Sequence, residues 1–420
     1  MYGCGLSEET APPTQIKTAD EAETVDVPIE DPANGELAEQ IAALEAIGYV
    51  SGSEPAHESL TGVITHDADR AYTSLNLVNS SHASEAILMT MDGDPLHRWR
   101  LPIHDAWPKI KREASTAWRR VRIAENGDLF AVYSNGVGLI KIDKDSNLIW
   151  RRRDNQHHDI EILDDGSLLT LTRTAHIVPR VNEEAPILED YIVIHSADGE
   201  LVQKVSLLEC VENSMYWPVF RSIYEGAKMD GDIFHSNDIE MLDGRFADRN
   251  PAFAKGNVMV SILIMNAVAI VDMDERKIVW LETGMWLHQH HPSMLDNGNI
   301  LLFDNQGRHG LSQVIEFNPM TQLIEWMYPP ADDPEAHPLY SETISTAQRL
   351  PNGNTLIVES NNGRAIEVTH NHNIVWEYLN PNRTGENEDL VANMPQVVRL
   401  PPDFPTDWAD KGTIEDFSSR

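Results

Sequence analysis

The chain has 420 residues, 41% of them hydrophobic, and a formal net charge of −35. That length suits one large all-β unit or two or three ordinary domains. So strong a negative charge excludes nucleic acid as a partner and opposes binding to an anionic membrane surface.

Residues 1–35 are acidic, rich in Thr and Pro and poor in large apolar groups, so they read as a flexible acidic tail. The start, "MYGCGLSEETAPPTQ", has no hydrophobic signal core, and no stretch approaches the length of a membrane span. A small residue before Cys4, followed by a Ser/Glu/Thr/Pro-rich tether, resembles the mature end of a bacterial lipoprotein. On that reading the protein is periplasmic or secreted and meets a membrane only through a lipid anchor at Cys4. The alternative is a tail with an unmodified cysteine. Neither Cys4 nor Cys210 has a metal-type CxxC spacing, which argues against a thiolate zinc site, and no disulfide is expected between them.

The stretch "GELAEQIAALEAIGYV" (35–50) places Leu37, Ile41, Leu44 and Ile47 at helical spacing. Residues 36–69 therefore read as an N-terminal helix and linker. From residue 70 a unit repeats: an apolar strand, an Asp/Asn-Gly turn, a second strand, a third strand, a short turn, and a strand carrying Trp. Five copies span 119–150, 157–202, 235–280, 290–326 and 345–376. Four short strands per 40–50 residues is the signature of a β-propeller blade. The fragments at 71–101 lack a first strand, and "NMPQVVRLPPD" (393–403) has the form of the missing one. The expected fold is all-β: a six-bladed β-propeller over 70–405, closed by N- and C-terminal strands sharing one blade, with 406–420 as a C-terminal tail. The segment 203–234 reads as a long loop covering one end of the ring.

The repeats align on the Leu that closes each first strand: Leu163, Leu242, Leu295 and Leu350. Five positions earlier lie His158, Asn237, His290 and Ser345; seven earlier lie Gln156, His235, His288 and Thr343. Side chains two apart on a strand point the same way. The innermost strands should therefore aim these groups at one mouth of the central channel. Asp159 and His291 have the opposite parity and are expected away from the axis, as is His157 unless the strand bulges there. Seven residues after each turn glycine come Arg173, Leu263, Asn305 and Ser360. Of these, Arg173 is the cation expected to meet an anion at the mouth, with Arg308 and Arg364 as further candidates. Two chemistries fit: metal binding by His158, His235, His288 and His290, or nucleophilic catalysis by an imidazole with polar donors holding the transferred anion.

The stretches "FHSNDIEML", "HQHHPSMLDNGNILLFDN" and "AQRLPNGNTLIVESNNGRAIEVTHNHNIVWEYLNP" closely resemble the bacterial arylsulfotransferases that use no nucleotide sulfate donor. The resemblance runs from about residue 115 to the C-terminus and implies a six-bladed propeller, export and no organic cofactor. It implies sulfuryl transfer from an aryl sulfate donor to a phenolic acceptor through a sulfohistidine. Carried over by motif, the nucleophile is His290 within Gln289-His290-His291. The H-x-N pair His235 and Asn237 would protonate the leaving phenolate and hold sulfuryl oxygens. His157, His158 and Asp159 stand at the family's HHD motif. Thr343, Ser345, His288 and Arg173 complete the expected set, with no metal assigned. Two positions depart: His291 stands where the family has Asp, and Leu263 where its S-x-R motif has Arg. Losing a cation at a transferring sulfuryl group costs about 2–4 kcal/mol, by analogy with deleted oxyanion donors. The alternatives are a metal-dependent propeller hydrolase and a non-catalytic propeller that binds anionic aromatic ligands.

Overall fold

The computed structural model describes residues 32–46, 52–57, 59–110, 117–224, 229–333, 335 and 337–409. The acidic tail over 1–31 with Cys4, and the end of the C-terminal tail over 410–420, lie outside the described residues.

Six antiparallel four-stranded sheets form a ring. From the axis outward, blade II is Trp118–Ile123, Leu129–Tyr133, Leu139–Ile142 and Leu148–Arg152. Blade III is Gln156–Ile162, Leu168–Val178, Asn182–His195 and Leu201–Ser206; blade IV is Ser236–Met241, Val258–Ile262, Ala267–Asp272 and Lys277–Thr283. Blade V is His290–Met294, Ile300–Arg308, Leu311–Phe317 and Ile324–Tyr328; blade VI is Thr346–Arg349, Thr355–Glu359, Arg364–Val368 and Ile374–Leu379. Blade I joins the chain ends. Its innermost strand is Gln396–Arg399, paired in register with Asn76–Asn79, followed by Glu85–Met89 and Pro95–Arg100. The fold is the expected six-bladed propeller, latched by strands from both ends of the chain.

The repeat is legible in the turns and the tryptophans. Gly166, Gly298 and Gly353 take φ values of +81°, +86° and +87°, and in each turn the glycine N–H donates to the carbonyl of the anchor Leu. A side chain is disfavoured there, so the Asp/Asn-Gly pair is a backbone requirement. Outer-strand tryptophans cross to the next blade. The indoles of Trp99, Trp150, Trp326 and Trp376 donate to the carbonyls of Gly127, Ala197, His370 and Met91, each in a turn of the following blade.

At the axis, side chains stitch each inner strand to the next. Gln348 brackets the backbone of Arg399, and Gln396 brackets that of Val121. Glu161 accepts from the Met241 N–H, and Glu240 from the Met294 N–H. Burial pushes Glu161 up to about 7 and Glu240 up to about 8. Folding therefore takes up protons between about pH 4.5 and 7–8, and stability from these groups falls as pH rises through that window. Glutamine keeps the acceptor oxygen and removes the charge. The double variant Glu161→Gln/Glu240→Gln should be more stable than the parent at about pH 8.5, by about 1–3 kcal/mol, and about equal to it near pH 4. Urea titrations at the two pH values measure this; a gain equal at both would show that the carboxyls do not titrate in the window.

Several elements differ from the sequence reading. The helix runs over Pro32–Glu45 and packs Leu44 and Ile41 against Ala175 and Leu188 of the long blade III hairpin. The stretch read as linker contains Gly62–His66, a fifth strand on the outer edge of blade VI beside Ile374–Leu379. The 203–234 segment is not a plain loop. It carries helices Leu207–Glu212 and Trp217–Ile223, whose Leu207, Cys210, Val211 and Phe220 join the core between blades III and IV. Short helices whose apolar residues pack on neighbours leave little periodic signal. Near the C-terminus, Trp408 is not loose: it packs against His97, Trp99 and Gly127.

Candidate active site

Every inner strand that contributes to the mouth is distorted at the same place. Register slips occur at Arg119 in blade II, His158–Asp159 in blade III, Asn237 in blade IV and His291–Pro292 in blade V. His158, His235, His288, His291 and Ser345 hold left-handed φ values of 57°, 49°, 57°, 53° and 82°. Such conformations are costly for non-glycine residues and mark places where a bulge re-aims side chains. This overturns simple parity. Asp159 and His291 do not point away from the axis. Asp159 and Asp238 lie buried beneath the mouth with Arg120, whose Nε and Nη2 reach them at 3.1 and 3.0 Å. Arg122 adds a second bond to Asp159, and the His291 N–H donates to Asp238.

Above that charge-compensated layer the histidines meet. The rings of His158 and His235 are 5.2 Å apart, and those of His157 and His158 5.0 Å, with their Nδ1 atoms 2.7 Å apart. Burial first, then the Arg119 guanidinium, then neighbouring imidazoles including His235 hold both His158 and His290 well below the ordinary imidazole range. At neutral pH both rings are uncharged.

The tautomer of His290 is fixed. Asn305 Nδ2 donates to the carbonyls of Ser341 and Ile344, so its Oδ1 is the atom 2.8 Å from His290 Nδ1. The His288 carbonyl lies 3.1 Å from the same nitrogen. Both neighbours only accept, so Nδ1 carries the proton and Nε2 keeps its lone pair. The Asp232 carboxylate, delivered by the end of the 203–234 insertion, accepts from the His235 N–H through one oxygen and sits 3.0 Å from His235 Nδ1 through the other. Asn237 Nδ2 donates to the Gln289 carbonyl, and Gln289 is itself pinned through Nε2 to Ser261, Ile262 and Ala267. Ser261, at the S-x-R position, thus braces the strand that carries His290.

The His158 and His235 rings are in contact, and Asn237 reaches the Gln289 carbonyl beside His290. Arg173 lies on the second strand of blade III. It is buried beside Gly136, its charge acting on His157 and Asp190. His157 is buried one layer back from the mouth, its Nε2 3.8 Å from Asp190. Ser345 exchanges bonds with Ser360, and the Thr343 N–H donates to Asn361. His288 contributes its carbonyl to His290. Arg364 is held by Glu359 and Glu377, and Arg308 by the Pro329 carbonyl. Among the described residues, no group of three or more His, Cys, Asp or Glu is arranged to hold a metal ion.

Antiparallel topology puts the turn after Tyr133, the link from blade II to III and the link from blade I to II at the mouth end. There a cavity of about 340 Å³ lies under the N-terminal helix, lined by Ala42, Ile110, Gly136, Val137, Arg153 and Asn155.

A family model described as arylsulfotransferase (ASST) matches residues 121–381, which span blades II to VI and carry the whole histidine cluster. The chain belongs to the arylsulfotransferase family. Among solved structures, this family member is similar to a protein of unknown function from Bacteroides caccae, at 14% identity and a TM-score of 0.50, covering 73% of this chain and 94% of that one. It is also similar to a streptogramin B lyase (11% identity, TM-score 0.43, covering 82% and 94%) and to a functionally unknown protein from Desulfotomaculum acetoxidans (12%, 0.40, covering 77% and 100%). At these identities the likeness bears on fold alone. Comparison with curated proteins gives no match.

Proposed function

We propose that this arylsulfotransferase-family chain moves a sulfuryl group from an aryl sulfate to a phenol through a sulfated His290. The observation that carries this reading is the anchored Nδ1 of His290, which leaves Nε2 as a neutral nucleophile at a mouth shared with His158 and His235. The Nε2 lone pair forms an N–S bond as the S–O bond to the aryl group breaks. His235, its Nδ1–H held by Asp232, gives its Nε2 proton to the departing phenolate. The incoming phenol returns that proton to His235 as its oxygen attacks sulfur and the N–S bond breaks, restoring both histidines.

Intact-mass analysis after incubation with an aryl sulfate tests this. A gain of one sulfuryl group, discharged by added phenol, is expected; no adduct and no turnover across a range of donors would overturn it. His235→Ala should slow transfer from donors with poor leaving phenols about 10²–10⁴-fold while sparing donors with acidic phenols, because only the former need a proton. A Brønsted plot over substituted donors reads this out.

A further inference from the structure

We propose that Arg119 is the cation that grips the sulfuryl oxygens in this chain, replacing from another blade the arginine that Leu263 displaces. This rests on the sulfuryl-transfer reading above.

The turn that follows each inner strand is closed by two backbone bonds, seen at Leu163, Leu295 and Leu350; in blade II the same pair is made by Ala124, whose N–H takes the Asp128 carbonyl while Gly127 donates back. Ala124 is therefore the blade II anchor. Five positions before it stands Arg119, in the place held by His158, Asn237, His290 and Ser345 in the other blades. Like His158 and Asn237, it sits at a register slip of the inner strand. Its blade stands across the six-membered ring from blade V, whose inner strand carries His290. The planar fork of an arginine matches two oxygens of a sulfuryl group.

Three neighbouring arginines have acidic partners of their own. Arg120 and Arg122 are paired with Asp159 and Asp238 one layer down, and Arg364 with Glu359 and Glu377. Arg173 belongs to the second strand. At the equivalent position Asn305 braces His290, and Ser360 braces Ser345. In blades V and VI that position supports an inner-strand residue. The reach of the Arg119 charge agrees: after burial, it is the largest cause holding down both His158 and His290, ahead of the His157, His235 and His290 rings at His158 and of the His235 ring at His290, where Asn305 and the His288 carbonyl act in the opposite direction.

The test is the rate of His290 sulfation in wild type, Arg119→Gln and Arg119→Lys, using 4-nitrophenyl sulfate and intact-mass readout across pH. Expected are a fall of about 10²–10³-fold for Arg119→Gln, recovery of at least about tenfold for Arg119→Lys, and an acid limb moved to higher pH in Arg119→Gln. The last follows from sign: removing a nearby cation lets His290 keep its proton to higher pH. A merely structural arginine would not move that limb. A wild-type adduct that forms equally fast in Arg119→Gln, with an unmoved pH profile, overturns the role of Arg119 and leaves the sulfuryl-transfer reading standing. Absence of any adduct in wild type overturns both. Lysine failing to recover any rate in a folded variant, judged by thermal melting, with the acid limb also unmoved, assigns Arg119 to packing and likewise overturns the proposal.

Discussion

His290→Ala is expected to carry no sulfuryl adduct under any donor and to lose at least about 10⁴ in turnover, because in the proposed mechanism both half-reactions pass through the same N–S bond. His158 has its Nδ1 facing His157, and His235 has its Nδ1 beside a carboxylate, an arrangement suited to carrying a proton. The variant should still fold. It leaves Asn305 Oδ1 without its partner, a cost of about 1–3 kcal/mol, against a ring of six blades closed by in-register pairing of both chain ends. Intact mass, steady-state turnover and a thermal melt measured together separate lost chemistry from lost fold. A His290→Ala protein that melts near the parent and still accumulates the adduct would move the nucleophile to another histidine.

The architecture was legible because propeller blades repeat their requirements. A positive-φ glycine recurs at each inner turn, and a tryptophan recurs on several outer strands because its indole must reach the next blade. The matching of 393–403 to a missing first strand also rests on repeat form, and Asn76 pairs with Arg399 accordingly. The helices at 207–212 and 217–223 were not legible. Each is too short to show a period, and each is held by packing on blades III and IV.

The site was legible in position more than in detail. Counting from an anchor leucine located His158, Asn237 and His290, since repeats preserve register. Parity then misplaced Asp159 and His291, because a bulge at the mouth turns adjacent residues toward the axis and a sequence does not announce a bulge. Arg119 escaped for a simpler reason: its blade closes on Ala124, so an anchor defined as leucine passed over it. The backbone turn, which the sequence "ENGD" shares with "DDGS", "DNGN" and "PNGN", was the signal that finds it. Asp232 came from an insertion outside the repeat, where no alignment could reach it.

Asn305 carries the second large effect. Asn305→Leu removes the acceptor that fixes the His290 tautomer and empties the donor positions facing the Ser341 and Ile344 carbonyls. The His288 carbonyl still holds Nδ1 at 3.1 Å, so the ring is loosened rather than inverted. Full tautomer inversion in a catalytic histidine costs about 10⁴; a loss of about 10²–10³ in both half-reactions is therefore expected, with donor affinity nearly unchanged. Asn305→Asp tests the same contact in the opposite direction. A carboxylate at that distance favours the imidazolium, so the folded-state value of His290, now held low by burial and by Arg119, must rise. The acid limb of the rate profile then moves to higher pH, while the rate above it recovers relative to the leucine variant. Pre-steady-state sulfation of both variants across pH reads out the two effects. An acid limb that stays in place in Asn305→Asp would mean that this amide does not touch the nucleophile in solution, and the assignment of Nε2 as the attacking atom would lose its structural basis.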